Sequence, residues 1–406
     1  MKYLVILTDG AADYPLEKLG GKTPFQVSRK PNINRLSQLG EVGLVRTVPP
    51  GMSPGSDVAN LAVLGYDPRR YYTGRSPLEA ISIGVDLAPS DVAFRCNLVT
   101  LSDASSLEEK TMVDYSAGEI STEEAKIIIS DLAKSLNSSE ISFYPGVSYR
   151  HLMVWHHAPS DCRLTPPHDI SDRVIGSFLP QGECAPKLLA LMKESQKILA
   201  NHPVNQERKQ KGLRPANSIW FWGEGRKPNI KRFDEKYGLK GSVISAVDLA
   251  KGLGISAGLR AINVPGATGN IHTNFKGKAE AVLKAFTEGD DFVYLHIEAP
   301  DEAGHQGDIE TKIKAIERID EVLGIILTEL PKIAADFKVL LLPDHPTPLA
   351  LKTHTADPVP YVIYWSNSVN GKHSTPEFDE VSAAGTGIFI EEGHRLMDRF
   401  IEGRPD

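Results

Sequence analysis

Seven side chains able to hold a hard cation are scattered through the chain: Asp9, Ser56, Asp301, His305, Asp344, His345 and His354. Carboxylates, imidazoles and a hydroxyl, with no thiolate, suit a two-ion phosphotransfer centre. Two divalent ions roughly 3.5 to 4 Å apart polarise a phosphoryl group, stabilise charge on the attacking oxygen and orient an in-line displacement. Asp301 and His305 lie four apart, so a helix beginning there carries both on one face. Asp344 and His345 are adjacent; in a tight turn they serve different ions or flank one. Oxygen-rich coordination favours manganese over zinc, with magnesium also in range.

Ser56 lies at the N-terminal end of the segment Pro54-Gly-Ser-Asp-Val-Ala-Asn-Leu-Ala-Val-Leu-Gly65, which reads as a short helix stopped by Gly65. A serine in that position is most often only a cap. At a helix N-terminus it also gains from free N–H groups and the positive end of the dipole, which favour an alkoxide or a phosphate. Asp9 could likewise start an ordinary turn, and Asp344-His345-Pro346 could be a plain loop. The concurrence of seven suitable ligands at strand ends and loop starts is what raises them above these readings.

The elements needed to bring them together are visible as apolar runs. Residues 3 to 8 form a buried strand that delivers Asp9. Phe292 to Ala299 and Phe337 to Pro343 read as strands ahead of Asp301 and Asp344, and Tyr361 to Trp365 follows His354. Pro31 to Leu39 is a helix with proline in its first turn, and Asp308 to Leu330 a long amphipathic one. Strand–helix alternation predicts an α/β fold with a mostly parallel sheet flanked by helices. In such sheets ligands bind outside the carboxyl ends of the strands.

A chain of 406 residues has room for two domains. The middle differs in texture, with aromatic and histidine clusters at Phe143–Leu152, Pro166–Asp169 and Asn217–Gly223. We read 85–215 as an inserted, smaller α/β domain, leaving 1–84 and 216–406 as a discontinuous metal-binding catalytic domain. A net charge of -7 without long like-charge blocks argues against a nucleic-acid partner. No run approaches the roughly 20 apolar residues of a membrane span, and the N-terminal apolar stretch is too short for a signal peptide. Cys96, Cys162 and Cys184 stand far apart in odd number, leaving no full disulfide framework, which suits a reducing cytoplasm.

The motifs Leu7-Thr-Asp-Gly-Ala-Ala-Asp13, Pro54-Gly-Ser-Asp-Val-Ala-Asn60, Tyr72-Thr-Gly-Arg-Ser-Pro-Leu-Glu-Ala80, Ala93-Phe-Arg-Cys-Asn97, Pro145-Gly-Val-Ser-Tyr-Arg-His151, Pro300-Asp-Glu-Ala-Gly-His305 and Asp357-Pro-Val-Pro360 span most of the chain. On these it resembles the cofactor-independent phosphoglycerate mutases of archaeal type, within the alkaline phosphatase superfamily. The resemblance implies an alkaline-phosphatase-like sheet. It also implies one metal on Asp301, His305 and His354 and a second on Asp9, Ser56, Asp344 and His345, with Ser56 the nucleophile. The implied reaction takes phosphate from 3-phosphoglycerate, a small phosphorylated substrate, onto Ser56, lets glycerate reorient and returns phosphate to its 2-hydroxyl, without 2,3-bisphosphoglycerate. The inserted domain would close over the site and exclude water. Candidate substrate clamps there are Arg95, Arg150, His151, His168, Asp169 and Arg214, since guanidinium grips carboxylate or phosphate in bidentate fashion. Surface ion pairs and satisfied core histidines are the plainer alternatives for each.

Two departures stand out: His345-Pro-Thr-Pro, and Lys352-Thr353 ahead of His354. With the aromatic Asn217–Gly223 segment they resemble a bacterial subgroup proposed as an alternative homoserine kinase. Such a kinase needs a nucleoside triphosphate, yet Gly20-Gly-Lys-Thr23 lacks the earlier glycine of a P-loop, and Gly252-Leu-Gly254 lacks the third glycine of a dinucleotide fingerprint. A phosphatase on the same metal site is a further alternative.

Overall fold

The computed structural model describes residues 1–159, 161–367 and 373–403. The chain divides into two compact units, one of residues 1–72 with 229–406 and one of residues 73–228. The segment 85–215 lies inside the second.

The first unit is built on eight strands: β1 (Lys2–Thr8), β2 (Glu41–Val45), β3 (Gly241–Ile244), β4 (Arg260–Ile262), β5 (Phe292–Ile297), β6 (Phe337–Leu342), β7 (Val359–Trp365) and β8 (Phe389–Ile390), in the order β4-β3-β5-β1-β6-β7-β2-β8. β7 pairs antiparallel with both neighbours; the other pairings are parallel. The α/β class expected from the sequence is the one observed. Leu4 to Leu7 are fully buried, as a central strand covered on both faces requires. Each contributes roughly 1.5–3 kcal/mol through burial.

β5, β1 and β6 lie side by side and parallel, with Leu7 opposite both His296 and Leu342. Their carboxyl ends therefore reach the same sheet edge. Asp9 follows β1, Asp301 follows β5 and Asp344 follows β6 within a few residues. Beyond β5 the strand stops at Ile297, short of the expected Ala299, because Pro300 occupies the first turn of a helix. The helices flanking the site are α1 (Ser56–Val63), α2 (Ala299–Gln306) and α3 (Ile309–Ile333). α3 is capped by Asp308, whose carboxylate accepts the Thr311 N–H, and buries a stripe from Ala315 through Ile319 and Leu323 to Leu330.

The second unit centres on the strand Val92–Leu101, paired antiparallel with Arg150–Trp155 on one side and Ser218–Arg226 on the other. Helices Thr122–Leu136 and Ala185–Ala200 cover it around a core that includes Phe94, Phe221 and Trp220. Cys162 and Cys184, far apart in the sequence, bring their sulfurs into contact with Cα atoms 5.4 Å apart. The pairing of Cys162 with Gly182 across two short strands brings them together, and Cys96 stays a buried free thiol. No helix among the described residues is long and apolar enough to cross a membrane.

Candidate active site

The seven predicted ligands lie in the first unit, six of them in two adjoining groups and Ser56 beside the first. Asp9, Asp344 and His345 form one, Asp301, His305 and His354 the other, with the potential ligand atoms of each within 4.8 Å of one another. The His345 and His354 rings, 4.1 Å between centroids, join the groups.

In the first group the donors converge on His345 Nε2. Ser56 Oγ is 3.1 Å away, Asp344 Oδ2 3.4 Å and Asp9 Oδ1 3.8 Å. Asp344 Oδ1 accepts the N–H groups of Gly10 and His345, and its Oδ2 accepts the Asn60 amide. Asp9 Oδ1 is buried with no hydrogen-bond partner. An orphaned carboxylate oxygen facing an imidazole, a hydroxyl and a second carboxylate is what a cation would satisfy. Burial pushes the Asp9 carboxyl well above its usual range, and the charges of Asp344, Asp301 and Glu298 add to the rise. Burial lowers His345.

Ser56 does not cap its helix. The cap position belongs to Gly55 and has no side-chain hydrogen bond, which leaves the Ser56 hydroxyl on His345. The plain capping explanation of this serine therefore fails.

In the second group α2 carries Asp301 and His305 on one face, as their spacing implies. His305 Nε2 lies 3.3 Å from Asp301 Oδ2 and 2.9 Å from His354 Nε2, while His354 Nε2 is 3.5 Å from Asp301 Oδ1. Burial raises the Asp301 carboxyl, but hydrogen bonds from His305 and His354 outweigh it and hold it well below the usual range. The hydrogen bond to Asp301 raises His305 to about 9.

The two departures in sequence have structural roles. Thr347 donates from its hydroxyl to Asp301 Oδ1 and lies 3.3 Å from His345 Nδ1, tying one group to the other. Lys352, at φ +57°, turns its carbonyl onto His305 Nδ1 at 3.0 Å, so that nitrogen carries the proton and Nε2 faces the site. Gly10, at φ +62°, passes beneath Asp301, where a Cβ would meet the Asp301 and Thr347 side chains.

The six predicted clamps all lie in the second unit. Arg95 is buried, ion-paired to Glu79 and stacked 4.6 Å from the Trp222 ring; His168 packs on the same ring and on Tyr115. Tyr115 leads through Tyr149 to Arg150. Those three predicted residues thus share one cluster, joined by Arg75, which pairs with Glu79. His151 is buried beside it with Nδ1 accepting the Gly146 N–H, and burial pulls it to about 3. Arg214 is held by Asp114, and Asp169 is exposed, 3.7 Å from His168.

Sequence reasoning missed Arg75, although it lies in a quoted motif, and missed Asn60, Tyr294 and His296. The last two were legible as polar residues two apart, hence on one face, in an otherwise apolar strand.

Comparison with known proteins fits this geometry. Residues 37–205 match the family described as 2,3-bisphosphoglycerate-independent phosphoglycerate mutase. A protein of that name from Methanothrix thermoacetophila is 52% identical over 404 residues, covering 99% of this chain and all of the relative. The chain belongs to the 2,3-bisphosphoglycerate-independent phosphoglycerate mutase family. Among solved structures, a Pyrococcus horikoshii protein superposes with a TM-score of 0.82 at 29% identity over 99% of this chain and 96% of its own. The cofactor-independent phosphoglycerate mutase of Thermoplasma acidophilum gives 0.68 at 28% identity, over 99% of both. Membership of the mutase family favours phosphoglycerate interconversion over homoserine phosphotransfer and over simple phosphate hydrolysis, and the two ligand groups suit divalent metal ions.

Proposed function

We propose that this mutase interconverts 3-phosphoglycerate and 2-phosphoglycerate through a phosphoserine at Ser56. The observation that carries the reading is the Ser56 hydroxyl, released from capping and held 3.1 Å from His345 Nε2 at the N-terminus of α1. In the first half-reaction Oγ bonds to phosphorus, the bond to the 3-oxygen breaks, and that oxygen takes a proton while Ser56 loses one. After glycerate turns, its 2-oxygen bonds to phosphorus, the phosphoserine bond breaks, and the proton returns to Ser56. Protons balance over the cycle.

Asp9, Ser56, Asp344 and His345 would hold one divalent ion and Asp301, His305 and His354 the other. Such ions supply positive charge that lowers the serine pKa and neutralises phosphoryl oxygens. The carboxylate-rich donor set supports manganese, ahead of zinc or magnesium. Arg75, Arg95, Arg150 and His168 would grip the anionic substrate; His151, Asp169 and Arg214 then hold that cluster's surroundings. A cytoplasmic glycolytic and gluconeogenic setting is what this reading implies.

Phosphorus NMR on manganese-loaded protein with 3-phosphoglycerate and no bisphosphate tests it. The resonance of 2-phosphoglycerate should appear with wild type and be lost in Ser56→Ala, with folding unchanged. Free phosphate alone would make the enzyme a hydrolase. Turnover retained by Ser56→Ala would remove the serine from the reaction.

A further inference from the structure

We propose that His296, anchored by Ser245, is a positioning residue that aims Asp9 at the cation of the Asp9–Asp344–His345 group, and that Tyr294 does the same for Asp344 through Asn60. The inference rests on the metal reading just given. As a metal-binding carboxylate Asp9 can only accept, which leaves His296 Nδ1 as the acceptor for the Ser245 hydroxyl at 3.0 Å, while Ser245 Oγ accepts the Val247 N–H at 2.9 Å. The ring proton then sits on Nε2, which donates to Asp9 Oδ2 at 2.8 Å. With Oδ2 committed, Asp9 can turn only Oδ1 towards the site, and Oδ1 is the buried oxygen without a partner. The second arm runs in parallel. The Tyr294 hydroxyl donates to Asn60 Oδ1 at 2.7 Å, which fixes the amide so that its nitrogen donates to Asp344 Oδ2 at 2.9 Å.

A satisfied core histidine is the plainer reading of His296, which is 1% exposed. It does not explain why the two polar residues on one face of β5 each end on a different carboxylate of the same group. A filler needs one partner anywhere; these two chains need both carboxylates, oriented. The Asp301 group is built differently. Its histidines are partly exposed, and its orienting contacts come from the Lys352 carbonyl and from Thr347, which also reaches His345, whereas the two arms end on Asp9 and Asp344. The two arms should therefore act on one ion and spare the other.

Manganese titration by calorimetry, with bound ions counted by elemental analysis, tests this on wild type, His296→Leu, His296→Gln and Tyr294→Phe. Removing a residue that orients a metal ligand typically costs 10–100-fold in affinity. His296→Leu should weaken one ion by about that factor and leave the other within about twofold. His296→Gln, whose amide can still donate to Asp9, should recover most of the loss. Tyr294→Phe should weaken the same ion by about tenfold. Placing His296→Leu on an Asp301→Asn background should weaken the one remaining ion. If His296→Leu fails to fold, the Gln and Phe variants carry the test, with metal-free thermal stability as the control. Wild type binding two ions while His296→Leu leaves both unchanged, or weakens both equally, would overturn this inference alone. So would a folded His296→Gln as weak as Leu. Wild type binding no ion would overturn the metal reading, and this inference with it.

Discussion

Lys312 is fully buried, an unusual place for an ammonium. Its Nζ donates to Asp13 Oδ2 at 2.7 Å, the Thr347 carbonyl at 2.8 Å and the Ala12 carbonyl at 3.3 Å. It thereby locks the loop after β1, which carries Asp9, to the loop after β6, which carries His345. Burial pulls the ammonium below its ordinary range even with Asp13 beside it, so the pair offsets a real desolvation cost. Lys312→Met strands the Asp13 carboxylate, which among the described residues keeps the N–H groups of Tyr14 and Leu349, and leaves two buried carbonyls without this donor. Breaking a buried pair from one side costs about 3–5 kcal/mol. For a unit of this size each kcal/mol moves the midpoint by about 2–4 °C, so the drop should be about 6–20 °C. Adding Asp13→Asn removes the stranded charge, and the double variant should regain at least about 1 kcal/mol over Lys312→Met. Scanning calorimetry of wild type, both single variants and the double variant reads this. A loss under about 1 kcal/mol for Lys312→Met, or a double variant less stable than it, would refute the argument.

Gly10→Ala should cost about 1–2 kcal/mol from its left-handed backbone alone, and more from the collision with Asp301, with weaker manganese binding at the Asp301 group; an unchanged midpoint would show that the loop tolerates a Cβ. Asp301→Asn or His305→Ala should lower bound metal from two ions to one by elemental analysis, and unchanged stoichiometry would remove them from the ligand set. Glu380 accepts the Asp13 N–H and the Thr23 hydroxyl, and burial raises its carboxyl to about 7. The folded state thus keeps a proton that the unfolded chain releases near pH 4.3. The associated stability is fully present below that pH and declines by about 4 kcal/mol as pH rises from there through about 7. Glu380→Gln should flatten this slope in urea melts at pH 5 and pH 8; an equal wild-type-to-variant difference at both would contradict it.

Much of this architecture was legible because its signals are local. The runs at 3–8 and 337–343 and the helix Pro31–Leu39 are set by apolar continuity and a first-turn proline, and the structure keeps them with little change at their ends. The seven candidate donors stood out by side-chain type. Strand order was not, because pairing depends on partners hundreds of residues away: β1 contacts β5 and β6. Arg75 was hidden for a related reason. Its distinction lies in sharing Glu79 with Arg95, a contact no spacing in the sequence announces.

His296 marks the line between what sequence can and cannot tell here. As a letter in Phe-Val-Tyr-Leu-His-Ile it is a polar residue in a buried strand, which ordinarily weakens a strand assignment. Burying a neutral imidazole costs stability unless both nitrogens are used, and here both are, by Ser245 and Asp9. Local rule-breaking of this kind concentrates where a fold must hold charge in a chosen orientation. A strand optimised only for packing would carry an apolar side chain at position 296. It would leave Asp9 free to swing, and a carboxylate that swings gives up part of its affinity for an ion in reorganising.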